Sequence, residues 1–159
     1  MPNFETPDFD QSREHDGFSH TRARIGRQAG SDRLGASVYE LPPGKAAYPY
    51  HWHVGDEEML FVLAGRPTLR TPAGMRELEQ GEVVSFRRGE EGAHQLLNRT
   101  EQPVRFLTVS TEGDTDLVVY PDSDKLGAYG RKPDGGGGLL ALFRRGDAVD
   151  YFEGESAPD

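Results

Sequence analysis

The sequence contains no cysteine, and its longest uninterrupted apolar run is the short stretch Met59 to Ala64. Without cysteine the chain can form no disulfide, no thiolate metal site and no cysteine nucleophile. An apolar run of this length falls far short of the ~20 residues that span a bilayer. The first residues also lack a basic start followed by an apolar run, which a signal peptide requires. We therefore predict a cytoplasmic protein that does not enter a membrane.

Basic residues are in short supply as well. Lys and Arg together number 18 against 27 for Asp and Glu, which gives a net charge of −9. A nucleic-acid-binding protein must neutralise phosphates with a basic surface, and an anionic membrane attracts basic rather than acidic chains. We therefore expect neither nucleic acid nor a membrane as a partner, and a small molecule instead.

Turn-forming residues are abundant, with 20 glycines and 11 prolines among 159 residues. A chain of this length corresponds to one domain. Between residues 34 and 120 the turn signals recur about every eight to twelve residues, which is typical of an all-β sandwich or barrel. The strand-like runs are Leu34–Leu41, Ala47–His53, Glu57–Ala64, Thr68–Thr71, Met75–Leu78, Val83–Phe86, His94–Asn98, Val104–Ser110 and Asp116–Tyr120.

The chain divides into three parts by composition and by the spacing of its turn signals. These are an N-terminal arm (1–33), a β-barrel (34–120) and a C-terminal segment (121–159). Sparse aromatic anchors at Phe4, Phe9 and Phe18 predict an arm that is extended, partly mobile and docked through its rings. The apolar stretches Leu139–Phe143 and Ala148–Phe152 are expected to pack back on the barrel.

Four consecutive glycines, Gly135 to Gly138, predict a flexible loop. A phosphate-cradling loop is the alternative interpretation. That alternative requires a following Lys-Ser/Thr and a strand–loop–helix frame, and neither is visible in the sequence.

The clearest chemical signal is the segment His-Trp-His-Val-Gly-Asp-Glu-Glu, which runs from His51 to Glu58. Residues two apart on a strand project from the same face, so His51 and His53 are predicted to point together. The Gly-Asp pair predicts a turn, after which a carboxylate can return to the two imidazoles. Two imidazoles and a carboxylate suit divalent Fe, Mn, Ni or Zn. His94, on a later strand-like run, is a further imidazole candidate.

Two motifs in this part of the chain resemble those of the cupin superfamily, the small jelly-roll β-barrels. The family motifs are G-x5-H-x-H-x3 or 4-E-x6-G and G-x5-P-x-G-x2-H-x3-N. The matching residues are Gly44, His51, His53, Glu58 and Gly65 for the first motif, and Gly81, Gly89, His94 and Asn98 for the second. The resemblance covers residues 34–110 and implies a double-stranded β-helix, here with an extended N-terminal arm and an irregular C-terminal segment.

Three departures from the motifs fall in turns. Six residues instead of five separate Gly44 from His51. Arg87 occupies the proline position, and two extra residues lie between Gly89 and His94. Turns tolerate such insertions, so the rim of the pocket is affected rather than the ligand positions.

The resemblance implies a set of metal ligands. They are His51, His53, Glu58 and His94. Glu57 is the competing carboxylate because the family allows either spacing. We prefer Glu58, since only Glu58 keeps six residues before Gly65. The cofactor is then a divalent transition metal, with Fe, Mn, Ni and Zn all open.

Strand alternation also predicts an apolar outer face. With Glu58 inward, Leu60 and Val62 point inward too, while Met59 and Phe61 point outward. An apolar outer face requires a cover. Cupins commonly dimerise through such a face, and the N-terminal arm is the other candidate. We therefore predict a homodimer.

Three functional interpretations follow from the resemblance. The first is a metal-dependent enzyme, an oxygenase or an isomerase, acting on a small oxygenated molecule. The second is a non-catalytic cupin that binds a small molecule or a metal. The third is a sensory cupin that acts through a partner. The full ligand set favours the enzyme, although the fold alone cannot choose.

Overall fold

The computed structural model of the protein describes residues 1–130 and 138–157. Within these ranges the strands are β1 (Gln11–His15), β2 (Phe18–Ala23), β3 (Leu34–Leu41), β4 (Trp52–His53), β5 (Glu58–Ala64), β6 (Thr68–Thr71), β7 (Gly74–Glu77), β8 (Val83–Phe86), β9 (Gln95–Leu97), β10 (Val104–Thr111), β11 (Thr115–Tyr120), β12 (Lys125–Gly130) and β13 (Leu140–Arg144). A four-residue helix, α1, spans Ile25–Gln28. None of the helices in the described part of the chain has the length and hydropathy needed to cross a membrane.

The strands form three antiparallel sheets. A six-stranded sheet has the order β1-β2-β3-β10-β5-β8, a four-stranded sheet the order β13-β12-β11-β4, and a three-stranded sheet the order β7-β6-β9. Each sheet also pairs strands that are distant in sequence, as β10 pairs with both β3 and β5. The prediction of an all-β barrel is confirmed.

The barrel interior is filled by alternate residues of the long strands. On β5, Leu60 and Val62 are buried, whereas Met59 is 40% exposed, as the alternation predicts. Leu60 and Val62 lie in one apolar cluster with Phe106 of β10 and Leu96 of β9. This cluster forms the floor beneath the histidine-rich end of the barrel.

One predicted strand is much shorter in the structure. Of the run Ala47–His53, only Trp52–His53 is a strand. Pro49 lies in the middle of the run and has no N–H to donate to a ladder. The rest of this stretch is held by single bridges, Ala46 to Leu97 and His51 to His94.

The residues expected to form an extended arm are folded into a β-hairpin. Gln11 to His15 pairs with Phe18 to Arg22, and β2 continues the sheet by pairing with β3. The turn is Asp-Gly, and Gly17 has a φ of +75°, a left-handed conformation that glycine adopts without steric cost. The three-part division of the chain stays a prediction.

The C-terminal segment joins the barrel through its backbone. Strand β12 pairs with β11, and β13 pairs with β12. The apolar side chains expected to pack back on the barrel are instead exposed, as Phe143 and Phe152 show. The strand pairing satisfies the backbone hydrogen-bonding groups but leaves these apolar side chains exposed. Most of the predicted glycine loop, residues 135–137, lies outside the described residues.

Candidate metal centre

Four segments that are separated in sequence meet at one end of the barrel. His51 and His94 face each other through a reciprocal backbone bridge, with N···O distances of 3.2 and 2.9 Å. His53 lies on β4, which pairs with β11 through Val118. Glu58 begins β5, between β8 and β10. The ring centroids of His51 and His53 lie 4.9 Å apart, so the two imidazoles point together as predicted.

Backbone carbonyl groups orient two of the imidazoles. His51 Nδ1 lies 2.9 Å from the Pro49 carbonyl oxygen, and His94 Nδ1 lies 3.0 Å from that of Gly92. A carbonyl oxygen only accepts, so each Nδ1 carries the proton and each Nε2 keeps a lone pair for a ligand.

Gly92 makes the close packing around His94 possible. A Cβ at this position would lie 1.7 Å from the Arg87 carbonyl oxygen, so no other residue fits without moving the backbone. Gly92 closes a 3-10 turn, Glu90–Gly92, in the stretch that holds the two extra motif residues. The insertion therefore forms a turn of its own and leaves His94 on the inner face.

A buried carboxylate orients the third imidazole. His53 Nδ1 lies 2.5 Å from Asp116 Oδ2, and Asp116 Oδ1 accepts a hydrogen bond of 2.9 Å from the Gly55 N–H. Asp116 is 3% exposed. A carboxylate behind a histidine fixes its tautomer and raises its basicity, as such groups do around metal sites. Sequence reasoning missed this role of Asp116, although an acidic residue at the start of an apolar strand was a visible signal.

The donor atoms of His51, His53 and Glu58 lie within 4.8 Å of one another. Bonds of about 2.0–2.2 Å from nitrogen or oxygen to a metal require such spacing. His53 Nε2 is buried and has no hydrogen-bond partner, although Glu58 Oε2 lies 3.4 Å away. The residues present therefore fit a divalent cation.

The other two candidates differ in position. His94 Nε2 lies 3.2 Å from Glu58 Oε2, but His94 is outside the group of three mutually close donors. Its ring stacks on Phe86 at a centroid distance of 3.7 Å. Glu57 is exposed and lines a separate outer pocket with Arg88, so the structure brings only Glu58 to the histidines. The assignment of the four residues as ligands stays a prediction.

The cluster holds opposite charges side by side. Burial alone would raise the pKa of Glu58, but contacts with His53 and His94 hold that pKa well below its usual range. Burial and the two neighbouring imidazoles lower the pKa of His51 to about 3. Burial also opposes a charge on His53, yet Asp116 and Glu58 raise its pKa to about 10. A divalent cation would take the place of the proton on His53 Nε2.

A cavity of about 350 Å³ opens above the cluster. Its lining includes the site residues and four tyrosines, Tyr39, Tyr48, Tyr120 and Tyr129. The Tyr120 and Tyr129 hydroxyl oxygens lie 2.7 Å apart. Burial and this hydrogen bond raise the pKa of Tyr120 well above its usual range, so it stays protonated. The Tyr48 hydroxyl is buried and has no hydrogen-bond partner.

The hairpin supplies the opposite wall of the cavity. Gln11, Arg13, His20 and Arg22 all line it. Sequence reasoning placed these residues in an extended arm. The Asp-Gly turn between two alternating runs was the signal that could have located them.

Three further side chains of the barrel do not line the cavity. Phe106 is in the apolar core. Arg66 pairs with Glu77 at 2.7 Å, and Arg70 pairs with Asp122 at 2.6 Å.

Comparison with known proteins agrees with this geometry. Residues 37–110 match the family model described as the Cupin domain. No curated protein matches the chain. The chain is 25% identical to a proposed sugar phosphate isomerase from Acidithiobacillus ferrooxidans, with a TM-score of 0.76 over 87% of this chain and 86% of that one. It is 22% identical to a cupin-superfamily sugar phosphate isomerase from Silicibacter pomeroyi, with a TM-score of 0.78 over 96% of this chain and 98% of that one.

A third solved structure shares a smaller part of the fold. It is the polyketide cyclase RemF from Streptomyces resistomycificus, 28% identical, with a TM-score of 0.51 over 58% of this chain and 64% of that one. The family match includes all four residues His51, His53, Glu58 and His94. By sequence match and by fold, this chain belongs to the cupin superfamily and is a small cupin with a double-stranded β-helix.

Proposed function

We propose that this protein is a divalent-metal-dependent isomerase that acts on a small hydroxy-carbonyl compound of the sugar phosphate type. The observation that carries the proposal is the convergence of His51, His53 and Glu58 at the base of a cavity, with His53 Nε2 lacking any other partner. The similarity to the isomerase from A. ferrooxidans supports the choice of reaction.

The residues that would hold the metal are His51, His53 and Glu58, with His94 beside them. A bound divalent cation supplies Lewis-acid polarisation of a carbonyl oxygen. The open side of the cluster faces the cavity, so a substrate with neighbouring hydroxyl and carbonyl oxygens can approach it. Isomerisation moves a proton between neighbouring carbons and requires no oxidant, which suits a site built of imidazole, carboxylate and phenol groups.

In this proposal the tyrosine hydroxyl groups donate hydrogen bonds to the oxygen atoms of the substrate. Tyr48 and Tyr120 are protonated at neutral pH because burial raises the pKa of each hydroxyl. The buried Tyr48 hydroxyl is a donor without an acceptor. A substrate oxygen in the cavity would satisfy it, which favours a polyhydroxylated ligand over an apolar one.

The test combines metal content with turnover. Protein without a histidine tag is analysed for metal, wild type beside His53→Ala. It is then loaded anaerobically with Mn, Ni, Zn or Fe and incubated with aldose and ketose phosphates in deuterated water. We expect near-stoichiometric metal in the wild type only, and metal-dependent interconversion with deuterium uptake from solvent.

Two outcomes would overturn the proposal. Oxygen consumption with the iron-loaded protein and no anaerobic turnover would make the protein an oxygenase. A ligand that raises the melting temperature without any turnover would make it a binding cupin.

A further inference from the structure

We infer that the β1–β2 hairpin binds the anionic end of the substrate, a phosphomonoester, through Arg13 and Arg22. This inference rests on the proposed function for the other end of the molecule, where a hydroxy-carbonyl group meets the metal cluster. It assigns the binding site to a part of the chain outside the matched family segment, residues 37–110.

The register of the hairpin places both arginines on the cavity side. Arg13 lies directly opposite His20, and Gln11 directly opposite Arg22. Residues opposite each other in an antiparallel pair share a face, as do His20 and Arg22, which are two apart on β2. All four residues line the cavity. The two guanidinium groups therefore flank His20 on one wall.

Both guanidinium groups have donors to spare. Seven other arginines pair with carboxylates: Arg24, Arg33, Arg66, Arg70, Arg76, Arg105 and Arg145. Arg22 donates from Nε to Ser37 Oγ at 3.0 Å and lies 5.3 Å from the Tyr39 ring, so its terminal amino groups remain available. Within the described residues, Arg13 and Arg22 have no carboxylate partner.

Acidic and basic side chains lie on different walls of the cavity. Asp56, Glu58 and Asp116 make the barrel side of the cavity acidic, Glu112 also lines the cavity, and the two arginines make the hairpin wall basic. A guanidinium fork matches the geometry of a phosphate or a carboxylate. A phosphomonoester carries about −1.5 to −2 at pH 7, so it matches two unpaired guanidinium groups better than a carboxylate does.

The first test is binding of inorganic phosphate to the full-length protein, loaded with its metal. Binding is followed by calorimetry and by the NMR signals of the His20 ring, which lies between the arginines. We expect Arg13→Gln and Arg22→Gln each to weaken phosphate binding about 10- to 100-fold, the loss of a charge-assisted hydrogen bond. Arg22→Lys should recover part of it. Arg88→Gln, at an exposed arginine that does not line this cavity, is the control.

Several outcomes would overturn the inference. These are no phosphate binding to the wild type, equal losses in the Arg88→Gln control, unchanged binding in both hairpin variants, or acetate binding as tightly as phosphate. Metal content is measured on every variant and should stay at the wild-type level. A protein that binds phosphate through the hairpin but never holds metal would support this inference while contradicting the proposed function. A protein that holds metal but does not bind phosphate through the hairpin would contradict this inference and leave the proposed function standing.

When the substrate is a sugar phosphate, the Arg13→Gln and Arg22→Gln substitutions should raise KM far more than they lower kcat, because the arginines lie away from the reacting carbons. The same variants should discriminate less between the phosphorylated sugar and its parent sugar. Unchanged KM in both variants would contradict the assignment even if inorganic phosphate binds.

Discussion

At the scale of single residues, the centre depends on His53, which stands between two carboxylates. Asp116 holds Nδ1 at 2.5 Å, and Glu58 lies 3.4 Å from Nε2. The first contact has the length of a strong charge-assisted hydrogen bond, whereas the second is too long for a full one. Asp116 therefore acts as a positioning residue, and Nε2 is left to a ligand.

The adjacent pair Glu57 and Glu58 gives a matched test of the carboxylate. Glu58→Gln should lower metal occupancy at least about 10-fold, because it removes the anion that faces the imidazoles. Glu57→Gln should leave occupancy unchanged, since its side chain is exposed. Elemental analysis of the two variants after identical metal loading is the measurement. Loss of metal in Glu57→Gln alone would reverse the assignment.

Asp116→Asn tests the positioning role. The amide keeps the size of the side chain but cannot stabilise a cationic or metal-bound imidazole as well, so metal affinity should fall by about 10- to 100-fold. Competition titration with a chelator of known affinity measures the change. Asp114→Asn, two residues away and exposed, is the control. Equal affinities for wild type and Asp116→Asn would show that the carboxylate is only structural.

At the scale of elements, the β1–β2 hairpin is the part of the site that lies farthest in sequence from the candidate metal ligands. His20 anchors β2 to the barrel, with Nδ1 2.8 Å from the Ala47 carbonyl oxygen and its ring edge-on to Tyr39. Burial lowers the pKa of His20 below 6.5, despite this hydrogen bond. The neutral imidazole is thus the form that the folded hairpin holds.

This shift predicts a dependence of stability on pH. Because the folded pKa of His20 is lower than the unfolded one, the unfolded chain binds more protons below pH 6.5. Stability from this group is present above pH 6.5 and is lost as the pH falls through that value towards the folded pKa. Urea unfolding at several pH values between 8 and 5 should show a shallower loss for His20→Gln than for the wild type. Parallel curves for the two proteins would contradict the assignment.

At the scale of the whole molecule, apolar surface remains uncovered. Met59 of the barrel's outer face is 40% exposed, and Leu142 and Phe143 on the edge strand β13 are 50% and 54% exposed. The hairpin pairs with β3 and leaves Met59 open, so it is not a complete cover for that face. Large exposed apolar patches commonly mark association surfaces.

We therefore keep the prediction of a homodimer. Light scattering at micromolar concentration should give twice the chain mass of 17.6 kDa. Met59→Lys should shift the distribution towards monomer if the barrel face is the interface, whereas Leu142→Lys should do so if the edge strand is. A single species of 17.6 kDa in the wild type would contradict the prediction.

The sequence predicts a structural feature well when the residues that form it are close together along the chain. Runs bounded by clear turn signals, such as Leu34–Leu41 and Val83–Phe86, have the predicted bounds. The nearness of His51, His53 and Glu58 follows from spacing and a turn. Asp116 could not be placed, because its contact with His53 spans 63 positions and depends on how β11 pairs with β4.

The origin of the cavity's two walls has a consequence for engineering. The candidate metal site comes from residues 51–94, whereas the basic wall comes from residues 11–22, an antiparallel hairpin joined to the barrel along the single strand β3 and at Ala46 and Ala47. A hairpin attached at so few places can be exchanged as a unit. Grafting a hairpin of different charge at residues 11–22 should therefore redirect this scaffold to uncharged or cationic substrates while its metal chemistry stays the same.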